Sequence, residues 1–555
     1  MSRLVVVVSR LAVIAVVAFI AGMALWRHGV VDGRGGGHGR PAAPAESPGP
    51  VHGGVADEIA ESFPVDLPVG DPASGVVIRL RCRRSDAREL PPTAIIVRPM
   101  TAAPLAAAPG DAAIIEAPRL PRNLPAWAVD CVTRQMCKVA ARRLPDAGRL
   151  AVVSGADGVR FLEEHAVLFD GAVILPPFQP EMAALRLENL ANFPIAFVFP
   201  PEAAGARAAA AFFRQLASLP RAAAMPPLRI FRQAVLSDGG SAAAMTDDAI
   251  NWLASRCVLS PTPHRELFWR GDGLPPAPLG RWLEITALSQ YNAEASLQAV
   301  IADDGRGGTA IRIKCRNVGG FAVYGEVLSS LLHGPVSIEI NGVAAGAIAN
   351  GVDWPLQFRD HGGTEGWSVD DGLAASGATK TFGNCGPIAR ALQAPCIAAY
   401  GTQLADTARQ WEQCARDFAA AWREQNGVGI AVLADRECLP ESMEGKNVIL
   451  FGSPEENSLS AFLLRESPAF LRQIFAILPE RLRGQPELCA ITMAPSDEIN
   501  AGAAVVLVLA DHESAIAAAW QALTAPACQN ADYIFYLTGQ RRTAIAGSYS
   551  HDWRR

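Results

Sequence analysis

The chain is 555 residues long, 50% hydrophobic and 19% charged, with a formal net charge of −6. Its hydrophobic content excludes wholesale disorder, and its length excludes a single ordinary core, since one domain takes ~100 to 200 residues. The acidic balance lacks the basic footprint that nucleic acid needs, so nucleic acid is not expected as a partner. Positive charge is almost all arginine, the only lysines being Lys138, Lys314, Lys380 and Lys446.

Arg3 and Arg10 precede an uninterrupted apolar run from Leu11 to Trp26. That run is a little short of the ~20 residues of a membrane span. Residues 1–27 therefore read as a signal peptide or a membrane anchor, with export the preferred reading. The rest of the chain is expected outside the cytoplasm, secreted, periplasmic or tethered to the membrane by its N-terminal helix. The membrane is a partner if the segment stays uncleaved. Residues 28–54 are rich in glycine and proline without apolar periodicity, which makes them a tether. His52-Gly53-Gly54 looks like part of an oxyanion loop, but it precedes any core strand. The histidines here are irregularly spaced and the eleven cysteines form no CxxC, so no metal site is expected. The cysteines read as small core hydrophobes.

From Val55 to Cys257 apolar runs alternate with helical patterns. "GVVIRLRC", "TAIIVRP" and "DAAIIEAP" are strands. A helix follows around Trp127 to Arg143, with Val129, Val132, Met136 and Val139 on one face. Then come "RLAVV", a short helix, "GAVILPP", "PIAFVFPP", a helix near Ala206 to Leu219, "LRIFRQAVL", and a helix from Asp247 capped by Thr246. Such alternation implies a parallel sheet covered on both faces, an α/β fold.

Within it, "RLAVVSGADGVRFLEEHAVLFDGAVILPP" (residues 149–177) is a strand, a glycine turn, a helix and a strand, the build of a nucleophile elbow. On these residues the region resembles an α/β-hydrolase of the prolyl-oligopeptidase-like or esterase-like kind. The resemblance implies a nucleophilic serine in a G-x-S-x-G turn, an acid after a later strand and a histidine in a loop before the last helix. Here the turn reads Gly155-Ala156-Asp157-Gly158-Val159, with aspartate in the serine's place and valine in that of the closing glycine. The acid loop offers only Glu202, the former histidine loop near Asp238 reads "SDGGSAAAM", and the early strand ends in "IIVRPM" rather than an oxyanion loop. No histidine occurs between His165 and His264. His165 stands eight residues after Asp157, about two helical turns along, and reads as a packing or surface residue. Asp157 could serve as a nucleophile only with a base to activate water, and the fold's base is the missing histidine. Loss of a triad serine or histidine costs roughly 10⁶ in turnover in the subtilisin case.

Residues 264–357 change to short alternating segments such as "EASLQAVIAD" and "TAIRIKCRN", with Asn341-Gly342 as a hairpin signal. They predict a small antiparallel β-sandwich, in which Trp269, Trp282, Phe321 and Tyr324 are expected in the core rather than on a carbohydrate face. Residues 384–539 return to α/β. The spacing predicts a helix over Leu404 to Gln425 with Trp411, Cys414, Phe418 and Trp422 as its buried stripe and Gly427 as its stop. The strands around it suggest a flavodoxin-like or Rossmann-like sheet, with no G-x-G-x-x-G or P-loop and hence no cofactor. Gly452, Ser453, Glu456 and Asn457 stand where a parallel strand meets a helix, a usual ligand position and equally a helix cap. "GPIARAL", "IAAYGTQ" and "NVILFGSPEENSLSAFL" are similar to the tail of exported bacterial multidomain proteins of the prolyl-oligopeptidase-like group.

Two functions follow from the sequence. One is a non-catalytic pseudo-hydrolase, exported or membrane-tethered, that binds a protein or small-molecule ligand as a binding or assembly module. The other is an active peptidase or esterase that uses an unrecognised site.

Overall fold

In the computed structural model, the first sheet is built from strands β1 (Ile59–Pro64), β2 (Val77–Arg83), β3 (Ala94–Val97), β4 (Ala113–Glu116), β5 (Leu150–Gly155), β6 (Gly171–Leu175), β7 (Ile195–Phe199) and β8 (Arg229–Arg232). Besides these strands and the helices flanking them, the structure describes residues 264–348, 354–362, 366–370, 379–466, 476–495 and 503–553. The expected signal or anchor segment (residues 1–27) and the tether (28–54) lie outside the described residues. Among those described, no helix is long and apolar enough to cross a membrane.

The eight strands lie in the order β1-β2-β4-β3-β5-β6-β7-β8. The pairs from β4 through β8 are parallel. β1 and β2, and β2 and β4, pair antiparallel, so the expected parallel sheet is a mixed one. The antiparallel pairs are confined to one end of it, a common arrangement for large sheets. β5 and β6 are read correctly as unbroken apolar runs because they are central and buried: Ala151, Val152, Val153, Ala172 and Val173 are fully enclosed. Helix α1 (Ala126–Arg143) buries Val129, Val132 and Met136 as its spacing predicts. Helix α2 (Gly158–His165) follows β5.

Strands β9 (Glu266–Gly271), β10 (Leu283–Leu288), β11 (Ala295–Asp303), β12 (Thr309–Arg316), β13 (Val318–Val323), β14 (Val336–Ile340), β15 (Val343–Ile348), β16 (Leu356–Asp360) and β17 (Trp367–Asp370) make two further sheets, β10-β13-β16-β17 and β15-β14-β12-β11-β9. They share one core. Alternate residues of β11, Ala295, Leu297, Ala299 and Ile301, face it. Asn341 and Gly342 have φ of 52° and 82° between paired Ile340 and Val343, the two positive values of a type I′ turn. Two expectations are corrected. β12 and β14 pair in parallel, so the sheets are not wholly antiparallel. Pairing also runs on to Asp370, past residue 357. The parallel pair is possible because β13 and residues 324–335 intervene, long enough for a crossover.

The last sheet contains β18 (Cys396–Tyr400), β19 (Ala431–Ala434), β20 (Asn447–Phe451), β21 (Leu488–Ala494), β22 (Val505–Ala510), β23 (Tyr533–Leu537) and β24 (Arg542–Gly547), in the order β19-β18-β20-β22-β21-β23-β24. Its first four strands are parallel. The remaining pairs are antiparallel, which corrects the flavodoxin-like or Rossmann-like expectation to a mixed sheet that continues past Gly539. Short connections from β21 to β22 and from β23 to β24 leave no room for the helical crossover that parallel neighbours need. Helix α3 (Ile388–Leu392) precedes β18. Helix α4 (Ala405–Asn426) buries Trp411, Cys414, Phe418 and Trp422 and ends at Gly427, whose φ of 67° is the left-handed cap.

Residues 55–555 form one compact unit. Asp170, before β6, accepts two 2.9 Å bonds from Arg281. Asn189 bridges Glu163 of α2 and Arg270 of β9. Trp127 of α1 packs on Trp422 of α4.

Candidate functional site

β5 delivers Gly155 to its carboxyl end and α2 begins at Gly158, so the strand and the helix that flank the expected elbow are present. Asp157, Glu202 and Asp238 lie outside the described residues. His165 sits at the far end of α2, 4% exposed, stacked on Phe161 at 4.4 Å and bonded through Nδ1 to the Phe161 carbonyl at 3.2 Å. The ring is one helical turn from its stacking partner and two from the elbow, which makes it a packing residue, as its spacing suggests.

The second predicted site lies between β20 and helix α5 (Ser458–Glu466). Asn457 is fully buried. Its Oδ1 accepts from the Leu459 and Ser460 amides at 3.0 and 3.2 Å, which caps α5. Its Nδ2 donates to the carbonyls of Ala399 and Phe451 at 3.1 and 3.0 Å, tying β18 to β20. Glu456 accepts the Ser453 amide at 2.9 Å, and the Gly452 carbonyl accepts the Ser460 hydroxyl at 3.0 Å. Gly452, with φ of 117°, makes the bend that a side chain would strain. The structure thus brings all four residues together, with their hydrogen bonds turned inward. Asp435, which sequence reasoning passed over, completes the cluster. It accepts from Thr402, Arg436 and both the amide and hydroxyl of Ser458, and these bonds outweigh its burial to hold its carboxyl below the usual range. Asn457→Ala should lower stability by about 2 kcal/mol, through the lost cap and the lost bonds to the two strand carbonyls. Asn457→Asp should not rescue it in urea unfolding, because a second oxygen would face those carbonyls. Wild-type stability in Asn457→Asp would show that the two carbonyls do not need their donor.

A third constellation has no counterpart in the sequence reading. Lys380 and Asp532 are both fully enclosed and form an ion pair at 2.5 Å. Lys380 also donates to the Tyr549 carbonyl at 2.7 Å and stands 4.2 Å from the Tyr291 ring centroid. Asp532 accepts from the Tyr549 amide at 3.0 Å and from Asn292 at 3.1 Å. Tyr291 and Asn292 precede β11, so the pair joins the sandwich to the last sheet. The Tyr291 hydroxyl meets His551 Nδ1 at 3.0 Å. Burial pulls the Lys380 ammonium down, against the upward pull of Asp532. It pulls His551 down to about 4, helped by Arg359 and Lys380.

Beside this cluster a cleft of about 1330 Å³ opens between the three sheet-bearing parts, lined among others by Arg134, Leu150, Pro276, Phe382, Arg390 and Asn447. Leu150 is the first residue of β5 and Asn447 the first of β20. The cleft therefore meets the amino ends of those strands. The elbow and the Gly452 loop stand at the carboxyl ends, one strand length or about 16 Å away.

No protein-family model and no curated protein matches the chain. Among solved structures, an uncharacterised protein from Capnocytophaga ochracea is similar at 12% identity and a TM-score of 0.27, over 36% of this chain and 63% of that one. Est1E from Butyrivibrio proteoclasticus is similar at 12% identity and a TM-score of 0.24, over 33% of this chain and 96% of that one. An acylaminoacyl peptidase of Pyrococcus horikoshii is similar at 12% identity and a TM-score of 0.24, over 34% and 40%. The likeness is partial, and the class defined by the sheets themselves is α/β.

Proposed function

We propose that the chain is an exported or membrane-tethered α/β-hydrolase-like protein that has lost hydrolysis and acts as a binding or assembly module. The observation that carries this reading is the elbow itself. Strand β5 ends at Gly155 and helix α2 starts at Gly158, the flanks that a nucleophile-presenting turn needs, while in the sequence aspartate occupies the serine's position and the expected histidine is missing from its loop. The nearest histidine along the chain, His165, is committed to packing on Phe161. Chemistry resides in the site rather than the scaffold, so the retained architecture supports binding without supporting turnover. The cleft between the three sheet-bearing parts supplies the space for a ligand.

The test is ester and peptide turnover, with serine-hydrolase activity labelling, by the purified full chain and by its Asp157→Ser and Asp157→Ala variants. No turnover and no labelling is expected in any of the three. Turnover by the wild type that disappears in Asp157→Ala would make Asp157 a nucleophile or base, and turnover that survives it would place an active site elsewhere. Either result overturns the proposal.

A further inference from the structure

We infer that the interdomain cleft is a binding site for an organic carboxylate with an apolar body, gripped by Arg134 and Arg390. This inference rests on the binding-module reading and names the ligand class.

Arg134 lies on α1 and Arg390 on α3, both half-buried and both lining the cleft. Among the described residues their side-chain hydrogen bonds go to thiols: Arg134 Nη2 lies 3.0 Å from Cys131 Sγ, and Arg390 Nη1 lies 3.8 Å from Cys385 Sγ. A thiol is a weak acceptor and leaves a guanidinium's charge unanswered. Among the described residues neither arginine has a carboxylate partner, although Asp130, Glu164 and Glu284 line the same cleft. Glu284 instead accepts the Tyr324 hydroxyl. The two arginines are brought to the same wall because Cys131 reaches the Gln393 carbonyl at 3.8 Å, so the turn of α1 that bears Arg134 lies against the end of α3.

Arg390 is aimed rather than loose. Its guanidinium stacks over the Phe382 ring at 4.6 Å, and a side chain at Gly273 would come within 2.3 Å of Nη1. With one face stacked and Nη1 turned to Cys385 and Gly273, Nη2 and Nε are left for a ligand, and a carboxylate matches that fork. The lining also includes the apolar Leu274, Pro275, Pro276, Pro278 and Phe382. The volume, about 1330 Å³, exceeds that of a typical small-molecule pocket of ~300 to 1,000 Å³, so an extended apolar body has room beyond the carboxylate.

The probe is 4-phenylbutyrate, titrated calorimetrically into the full chain at low salt, against 4-phenylbutan-1-ol and 4-phenylbutylamine. The acid should bind at least tenfold tighter than the alcohol, the amine should not bind, and salt should weaken the acid alone. Arg134→Gln and Arg390→Gln should each weaken it at least tenfold. Should either substitution prevent folding, Thr381→Glu puts a competing carboxylate at the exposed rim and should weaken binding without disturbing the core. Equal binding of acid and alcohol, wild-type affinity in the variants, or no binding of the acid would each overturn the site. The two proposals fail separately. Turnover that depends on Asp157 with 4-phenylbutyrate still bound removes the non-catalytic reading and keeps the site; no turnover with no binding does the reverse.

Discussion

Replacing Asp532 with alanine is expected to destabilise the fold by about 3 to 5 kcal/mol, the cost of leaving a buried charge without its partner. Lys380 would keep an ammonium in a fully enclosed site, with the Tyr549 carbonyl and the Tyr291, Tyr549 and Trp553 rings but no opposite charge to answer it. The aspartate also holds Asn292 and the Tyr549 amide, so three donors each lose one acceptor at once. The space beside it is taken up by backbone: a Cβ on Gly386 would fall 1.5 Å from Asp532 Oδ1, which makes glycine the only residue that fits there. The double variant Lys380→Met/Asp532→Leu should recover much of the loss, because apolar residues of similar volume often replace a buried pair at little cost. Urea midpoints of the single and double variants measure both. A loss under about 1 kcal/mol in Asp532→Ala would mean that water reaches the pair.

Stability should fall steeply as pH drops from about 6.5 to about 4, and His551 should account for about 3 kcal/mol of that fall. The sign follows from its environment. Burial first, then Arg359 and Lys380, disfavours the charged imidazole in the folded state and holds its pKa at about 4, against the ordinary 6.5. The unfolded chain therefore takes up the proton first. The contribution is complete above 6.5 and is lost by the time pH reaches the folded value. Tyr291 donates to Nδ1 only while that nitrogen is unprotonated. His551→Asn should flatten the profile in this window and leave the carboxylate-dependent part at lower pH. An unchanged profile in that variant would assign the acid sensitivity to other groups.

Much of the fold was legible wherever one element answers to one local pattern. β5, β6 and β7 read as unbroken apolar runs because the sheet is covered on both faces, and β11 reads as alternation because one of its faces is not. Asn341-Gly342 announced its turn because both residues tolerate positive φ, and α4 announced its inner face through Trp411, Cys414, Phe418 and Trp422. β1 was missed: it is a short edge strand carrying Glu61 and Ser62, and it has no apolar run to display. The parallel pairing of β12 with β14 and the antiparallel half of the last sheet were missed as well. Strand direction depends on which neighbour a strand meets, and period-2 alternation is the same for either. Of the candidate site, the four residues from Gly452 to Asn457 were legible as a strand-to-helix junction, and their hydrogen bonds to Ala399 and Phe451 were not.

The sequence by itself determined the residue types on which the proposed function rests, since aspartate at position 157 and the lack of histidine between 165 and 264 do not depend on any contact. It also determined where the buried strands and the long helices would form, because periodicity is a local record of which side chains must leave water. Only the tertiary structure decided that Lys380 meets Asp532 across 152 residues, that Arg134 and Arg390 share a wall, and that the cleft opens at the amino ends of β5 and β20. A fold-level rule places ligands at carboxyl ends, and it drew attention to the elbow and the Gly452 loop. The cleft arises instead from how three sheet-bearing parts pack against one another, and a charge buried by such packing carries no periodic mark in the chain.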